Sequence, residues 1–211
     1  MPTPSHPAEL VREHRPLEGA RLHGVTFDGR WVWFAAQDAL VACEPETGKV
    51  VRRHLVPGAD AGTAFDGEHL YQLARGEVLV IHPDSGDIVR RFPAPGKGRD
   101  TGMAWGDGYL WIGQYNDLKI HKVDARSGTV VKTLTSDRFV TGVSCVGGAL
   151  WHGACGDGQP CELRRLAPDG TVAESLALPV EWVAGVEGVG DDSFWCAGEG
   201  GTLRLVRRKD R

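Results

Sequence analysis

The sequence has no long run of apolar residues. Nowhere in its 211 residues is there an apolar stretch of the roughly 20 residues that a membrane-spanning helix needs. The opening residues, MPTPSHPAEL, also lack the apolar core of a secretory signal peptide. We therefore expect a protein that does not enter a membrane and that is located in the cytoplasm.

Positive charge is also scarce. The chain has 24 Lys and Arg residues against 28 Asp and Glu residues, which gives a formal net charge of −4. Proteins that bind the phosphates of nucleic acids usually carry an excess of basic residues. We therefore expect no nucleic-acid partner, and a small molecule or a peptide as the ligand. The composition favours no particular oligomeric state.

Cysteine is infrequent, and its count of five is odd. An odd number in a chain without a visible leader favours reduced thiols. Cys155 and Cys161 flank the segment GDGQP, so they could close a loop if oxidised, act as ligands of a soft metal, or pack as small apolar side chains. Their spacing is not CxxC, which makes the zinc signal weak.

Glycine, in contrast, is abundant, with 29 residues, and part of it recurs regularly. A glycine followed nine or ten residues later by an aromatic residue occurs five times, with a period of about 40 residues. Gly- and Asp-rich turns such as FDG and PDSG lie at matching places in the copies, as short hairpins require. The five pairs are Gly24 with Trp33, Gly62 with Tyr71, Gly102 with Trp111, Gly142 with Trp151, and Gly185 with Trp195.

Each copy reads as four short strands. The clearest is Thr101–Leu134, with TGMAW, GYLWIG, LKIHKVD and TVVKTL separated by turn residues. This pattern predicts an all-β fold, a five-bladed β-propeller of four-stranded antiparallel blades in one domain, residues 1–211. The predicted blades start near residues 22, 60, 100, 140 and 183. The last copy is one strand short, so we expect residues 9–17 to supply its outer strand and close the ring.

The residues that enter the inner strands, together with the loops after the second strands, should gather at one mouth of the central channel. They form a set of polar and aromatic side chains suited to a small-molecule site. His23, with Asp60, Asp100 and Glu181 around it, is the candidate general base or acid, and the carboxylates should favour its imidazolium form. His152 is a second catalytic candidate. The candidate substrate-binding residues are Arg75, Arg99, Tyr115 and Trp182.

No cofactor signature is present, but a divalent cation is an open alternative. His23 together with Asp60 or Asp100 would offer hard ligands suited to Mg²⁺ or Ca²⁺.

Two families have similar repeats. The phrases LYQLARGEVLVIHPDSGDIVRRF (70–92) and GYLWIGQYNDLKIHKVDARSGTVVKTL (108–134) resemble glutamine cyclotransferases of the plant and bacterial type. That resemblance implies a five-bladed propeller that forms N-terminal pyroglutamate. In that family a glutamate precedes the second-blade glycine; here the position is Ala61. The phrases LWIG (110–113) and ALWHG (149–153) resemble streptogramin B lyases. This second resemblance implies a seven-bladed propeller and a magnesium-assisted elimination that involves a histidine.

Three functional hypotheses follow. The first is an enzyme, cyclotransferase-like or lyase-like, with a histidine-and-carboxylate site at the channel mouth. The second is a non-catalytic propeller that binds a ligand or a protein on the same face. The third is a propeller whose cysteines hold a soft metal or respond to oxidation.

Overall fold

The computed structural model describes residues 3–209, and these residues form an all-β fold. They contain β-strands and one short 3₁₀ turn, Glu199–Gly201, with no α-helix in the described range. Within residues 3–209, no helix is long and apolar enough to cross a membrane.

Three sheets each contain four consecutive antiparallel strands in chain order. The first sheet consists of β2 (Val25–Phe27), β3 (Val32–Ala36), β4 (Ala39–Cys43) and β5 (Val50–Leu55). The second consists of β6 (Ala59–Phe65), β7 (Leu70–Ala74), β8 (Glu77–Ile81) and β9 (Ile88–Pro93). The third consists of β10 (Asp100–Gly106), β11 (Tyr109–Gln114), β12 (Lys119–Asp124) and β13 (Val130–Thr135).

The remaining strands form one eight-stranded mixed sheet, in the order β14-β15-β16-β17-β1-β20-β19-β18. One half is β14 (Val143–Val146), β15 (Ala149–Ala154), β16 (Glu162–Leu166) and β17 (Val172–Ala177). The other half is β18 (Gly185–Val189), β19 (Ser193–Ala197) and β20 (Leu203–Arg208). The strand β1 (Ser5–His14) lies between the two halves.

The pairing of β1 joins the start of the chain to its last strand. It runs antiparallel to β20, with Ala8 opposite Arg208 and His14 opposite Leu203, which confirms the predicted partner. The predicted bounds, 9–17, were wrong, because the strand begins at Ser5 and ends at His14. The early residues Ser5 to Pro7 also pair in parallel with β17, a contact that the repeat alone did not indicate.

The first strands of the sheets and half-sheets, β2, β6, β10, β14 and β18, contact one another in an order that returns to its start. The anchoring glycines meet at these contacts. A Cβ on Gly24 would lie 2.3 Å from Thr63 N, and a Cβ on Gly185 would lie 2.6 Å from His23 O. Gly62, Gly102 and Gly142 are in equally close contact with the next strand. Any side chain at these positions would push neighbouring first strands apart, which explains the glycine repeat.

Neighbouring sheets are also tied at their outer strands. A basic residue there donates a hydrogen bond to a carbonyl that precedes the outer turn of the next sheet. These pairs are Arg12 with Pro45, Arg52 with Pro83, Arg90 with Ala125, and Lys132 with Pro168. At the equivalent place on β17 the residue is acidic: Glu174 forms ion pairs with Arg165 and Arg208. An ion pair to β20 therefore replaces the carbonyl contact where the chain ends meet.

The cysteines differ from the expectation of reduced thiols. Cys155 and Cys161 form a disulfide that closes the loop between β15 and β16, so they are not available as thiolate ligands. Cys43, Cys145 and Cys196 are free, and burial raises the pKa of each thiol to about 12.

A partly buried carboxyl group, Glu187 on β18, ties three first strands together. It accepts hydrogen bonds from Thr26 Oγ1 (3.1 Å), Phe27 N–H (3.3 Å) and Ser144 Oγ (3.3 Å). Burial raises the pKa of Glu187 to about 7, and these hydrogen bonds only partly oppose the increase. The folded protein therefore favours the protonated acid more strongly than the unfolded chain does.

We expect Glu187→Gln to stabilise the protein above pH 7. The pKa of Glu187 is higher in the folded protein than in the unfolded chain. The free energy of unfolding therefore falls as pH rises from about 4.5 through 7. The neutral amide of glutamine does not lose this stability. The difference in the free energy of unfolding is at most about 3 kcal/mol, and each kcal/mol corresponds to roughly 2–4 °C in melting temperature. Melting curves at pH 5 and pH 8.5 measure it, with exposed Glu68→Gln as the control. An equal difference in melting temperature between Glu187→Gln and the wild type at both pH values would contradict it.

Candidate functional site

A cavity of about 490 Å³ opens where the chain enters the first strands. Most of the residues predicted from the sequence to meet at the channel mouth line it. These residues are His23, Asp60, Arg99, Asp100, Tyr115 and Trp182. Five of them come from the entries to β2, β6, β10 and β18, and Tyr115 follows β11; the entry to β14 contributes Thr141. The repeated geometry of the sheets therefore brings together residues that are far apart in sequence.

Three predicted residues lie outside this cavity. Arg75 lines a smaller neighbouring cavity, and Glu181 lines a shallow depression beside Cys161. His152 is fully buried on β15, where Nδ1 contacts the Gly153 carbonyl at 3.1 Å. Burial lowers the pKa of His152 to about 4, so its ring is neutral near pH 7. The structure thus does not place His152 or Glu181 with His23.

His23 is the titratable nitrogen base of the cavity. Its main-chain N–H donates to the Ala35 carbonyl (2.9 Å), which fixes the residue just before β2. Burial lowers the pKa of the half-buried imidazole, and although Asp60 opposes this, Arg21 adds to it. Asp60 favours the imidazolium form, as expected from the sequence, but burial outweighs this effect and lowers the pKa overall. Near pH 7 His23 is a neutral ring that can accept a proton.

The two cavity aspartates differ in their surroundings. Asp60 lies exposed on β6. Asp100 is buried, and its carboxylate accepts hydrogen bonds from Gly96 N–H (2.9 Å) and from Gln114 Nε2 (3.2 Å). Burial raises the pKa of Asp100, while these two bonds act in the opposite direction. Asp60 is thus the carboxylate available to a ligand, and Asp100 is largely occupied in holding the Gly96 loop.

One wall of the cavity is aromatic. Tyr115 stacks on Phe139 with ring centroids 4.2 Å apart, and Trp182 lies 6.1 Å from Tyr115. Burial raises the pKa of Tyr115, with Asp157 adding to the effect, so its hydroxyl stays protonated near neutrality. The wall can hold an apolar or planar part of a ligand.

Two buried polar atoms of the cavity residues have no hydrogen-bond partner within residues 3–209: Trp182 Nε1 and Thr141 Oγ1. Buried polar groups usually have partners, so these two atoms are exceptions, and neither exposes surface to the cavity. Sequence reasoning missed Thr141, Arg21 and Asn116 as lining residues. Thr141 had a detectable signal, since it immediately precedes the anchoring Gly142.

The disulfide-closed loop supports the aromatic wall. Gly156 lies so close to it that a Cβ there would be 2.2 Å from the Tyr115 hydroxyl and 2.6 Å from the Trp182 ring. Arg138 holds the loop through Asp157 (Nε to Oδ2, 2.5 Å) and also pairs with Glu162 (2.9 Å). Ion pairing and the short covalent loop together keep this side of the cavity in place.

The cavity residues do not form a complete metal site. Within residues 3–209, no group of three or more His, Cys, Asp or Glu side chains is arranged to hold a metal ion. Arg99, a candidate substrate-binding residue, pairs with Asp117 at 3.2 Å and is largely exposed.

The architecture matches a solved structure along nearly its whole length. The crystal structure of Myxococcus xanthus glutaminyl cyclase superposes with a TM-score of 0.80, covering 99% of this chain and 100% of that chain. The chain has a glutaminyl-cyclase-like fold. Sequence identity between the two is 16%, so the similarity establishes the fold alone. The sequence matches no protein-family model and no curated protein.

This glutaminyl-cyclase-like fold places its cavity at the entries to the first strands. The cavity combines a neutral imidazole, a free carboxylate and an aromatic wall. Such a set can bind a small ligand that has a cationic group and an apolar or planar part, and it can accept a proton from that ligand.

Proposed function

We propose that the protein is a cyclotransferase-like enzyme that acts on the amino-terminal residue of a peptide or on a related small molecule. The fold is a five-bladed propeller, with β14–β17 as the fourth blade and β18–β20 plus β1 as the fifth. The closed order of the first strands and the four-strand repeat support this blade count.

The observation that carries the proposal is the convergence of His23, Asp60, Tyr115 and Trp182 in one cavity. The full-length structural match to a protein described as a glutaminyl cyclase supports the same reaction class. The carboxylate of Asp60 attracts the ligand's ammonium group, and the aromatic wall packs on its side chain.

The reaction is an intramolecular acyl transfer. Neutral His23 accepts a proton from the ammonium group, and the freed amine attacks the carbon of the side-chain amide. A carbon–nitrogen bond of the ring forms, and a proton passes from the attacking nitrogen to the leaving nitrogen. The bond to that nitrogen breaks, ammonia departs, and His23 returns its proton to solvent. Holding both reacting groups of one molecule in contact supplies much of the rate.

The test is ammonia release from peptides that begin with glutamine. We expect the purified protein to release ammonia from a glutaminyl peptide and to leave a blocked amino terminus detectable by mass spectrometry. A peptide with the same sequence after an initial norvaline has no side-chain amide and is the matched control. No ammonia above the spontaneous rate would overturn the proposal.

A non-catalytic ligand-binding protein is the second candidate. It is favoured by Ala61, which occupies the position where the cyclotransferase pattern has a glutamate. It is also favoured by Asp100, whose carboxylate accepts a hydrogen bond from Gly96 N–H and is therefore less available to a ligand. This candidate predicts that glutaminyl peptides bind without ammonia release. A lyase-type elimination with His23 as the base also predicts no ammonia from these peptides.

A further inference from the structure

A second, smaller cavity adjoins the main one. It encloses about 130 Å³ and shares Asp60, Ala61, Gly98 and Asp100 with the main cavity. Its far side is formed by Gly58, Gly76 and the predicted ligand residue Arg75. A ligand bound at His23 and Asp60 can therefore extend into it without crossing the protein. The volume suits a group the size of a carboxylate and one or two carbons, not an aromatic ring.

Arg75 occupies the turn between β7 and β8 in an unusual conformation. Its φ is 52°, followed by Gly76 at 79°, the left-handed pair of a two-residue hairpin. Asn or Gly fits the first position of such a turn best, and a longer side chain there is strained. Turn geometry therefore does not explain the choice of arginine.

The positively charged guanidinium group of Arg75 has no polar partner among the described residues. Among residues 3–209, its guanidinium has no hydrogen bond and no ion pair, whereas Arg99 pairs with Asp117 and Arg138 with Asp157. Its stem is packed in place, because a Cβ on Gly58 would lie 2.6 Å from Arg75 Cγ and 3.1 Å from Nε. Glycine at 58 leaves the room that the stem occupies.

We infer that the small cavity is a subsite for a ligand carboxylate, which Arg75 binds. The inference rests on the proposed function, since it assumes a peptide whose ammonium group lies at Asp60. Asp60 borders both cavities, so the ligand's ammonium group can pair with Asp60 while its carboxylate extends past the two aspartates to Arg75 on the far side. In this arrangement the carboxylate belongs to the second residue of the bound peptide. It comes from the carboxyl end of a dipeptide or from an acidic second side chain.

The test compares charged and uncharged peptides on one set of variants. The probes are Gln-Ala, Gln-Ala-amide and Gln-Glu-amide, with affinity measured by calorimetry and ammonia release measured in parallel. Arg75→Asn removes the charge with a residue that suits the turn, so misfolding does not imitate the effect. Arg75→Lys keeps the charge, and Arg53→Gln, at an exposed arginine of β5, is the control.

We expect the wild type to bind a carboxylate peptide about tenfold more tightly than Gln-Ala-amide, as for one charge-assisted hydrogen bond. The preference disappears in Arg75→Asn, is partly kept in Arg75→Lys and is unchanged in Arg53→Gln. Added salt weakens it. A gain for Gln-Ala alone assigns the terminal carboxylate, and a gain for Gln-Glu-amide alone assigns the side chain.

Equal affinity for charged and uncharged peptides in the wild type, or no binding of any of the three, overturns the subsite. A preference that survives in Arg75→Asn overturns the role of Arg75. A preference lost in Arg75→Asn while no peptide releases ammonia supports the subsite and rejects the cyclotransferase activity. The two proposals therefore fail separately.

Discussion

A variant that lacks residues 1–14 unfolds, or melts more than about 10 °C below the wild type. The deletion removes β1 from the interior of the eight-stranded sheet, where it pairs with β17 on one side and β20 on the other. Both strands would then expose unpaired N–H and C=O groups. The ion pairs Arg204–Glu13 and Arg207–Glu9 would be lost as well.

Thermal melting by circular dichroism measures this effect. The double variant Glu9→Gln, Glu13→Gln is the matched control, because it removes the charges and keeps the strand. Exposed ion pairs contribute about 0–1 kcal/mol each, so the control should melt within a few degrees of the wild type. A synthetic peptide of residues 3–16 should partly restore the truncated protein. An unchanged melting temperature after truncation would contradict the role of β1 in holding the two half-sheets together.

The His23→Ala variant loses at least about 100-fold in kcat for a glutaminyl peptide, the range expected for a general base. The variant should still fold, since the His23 side chain faces the cavity and the main-chain bond to Ala35 is kept. In the wild type, activity should fall as pH drops through the pKa of His23, which burial places below its ordinary value. The proton-accepting neutral ring is then lost.

Ammonia release followed from pH 4.5 to 8 checks both parts. His82→Ala is the matched control, because His82 follows β8, is exposed and lies outside the cavity. Its activity should match that of the wild type at every pH. A His23→Ala variant with normal kcat, or a wild-type profile with no acid limb, would exclude His23 as the base.

The repeat allowed much of the sheet arrangement to be predicted, because its cause is local and steric. Gly24, Gly62 and their counterparts must lack side chains where first strands touch, and the pattern is visible in the sequence. The same register predicted that His23, Asp60 and Trp182 would meet. A residue that enters a first strand has its position determined by the adjacent glycine.

Burial and loop geometry could not be predicted in this way. His152 follows an anchoring tryptophan and reads as polar, yet on β15 it is enclosed by neighbouring strands. The hydrogen bond from Gly96 N–H to the Asp100 carboxylate depends on the path of residues 94–99. The spacing of Cys155 and Cys161 permits a disulfide but does not specify the loop path that brings the sulfurs together.

The position of β1 also constrains biosynthesis. During translation β1 leaves the ribosome before the other strands, and its partners β17 and β20 emerge only after β2–β16. The sheets of β2–β13 can assemble while the nascent chain is still growing, since each uses consecutive strands. The eight-stranded sheet can form only once β20 has emerged. Until then Leu10, whose partner in that sheet is Val206, has no β20 beside it, and a chaperone that binds short apolar segments could bind there.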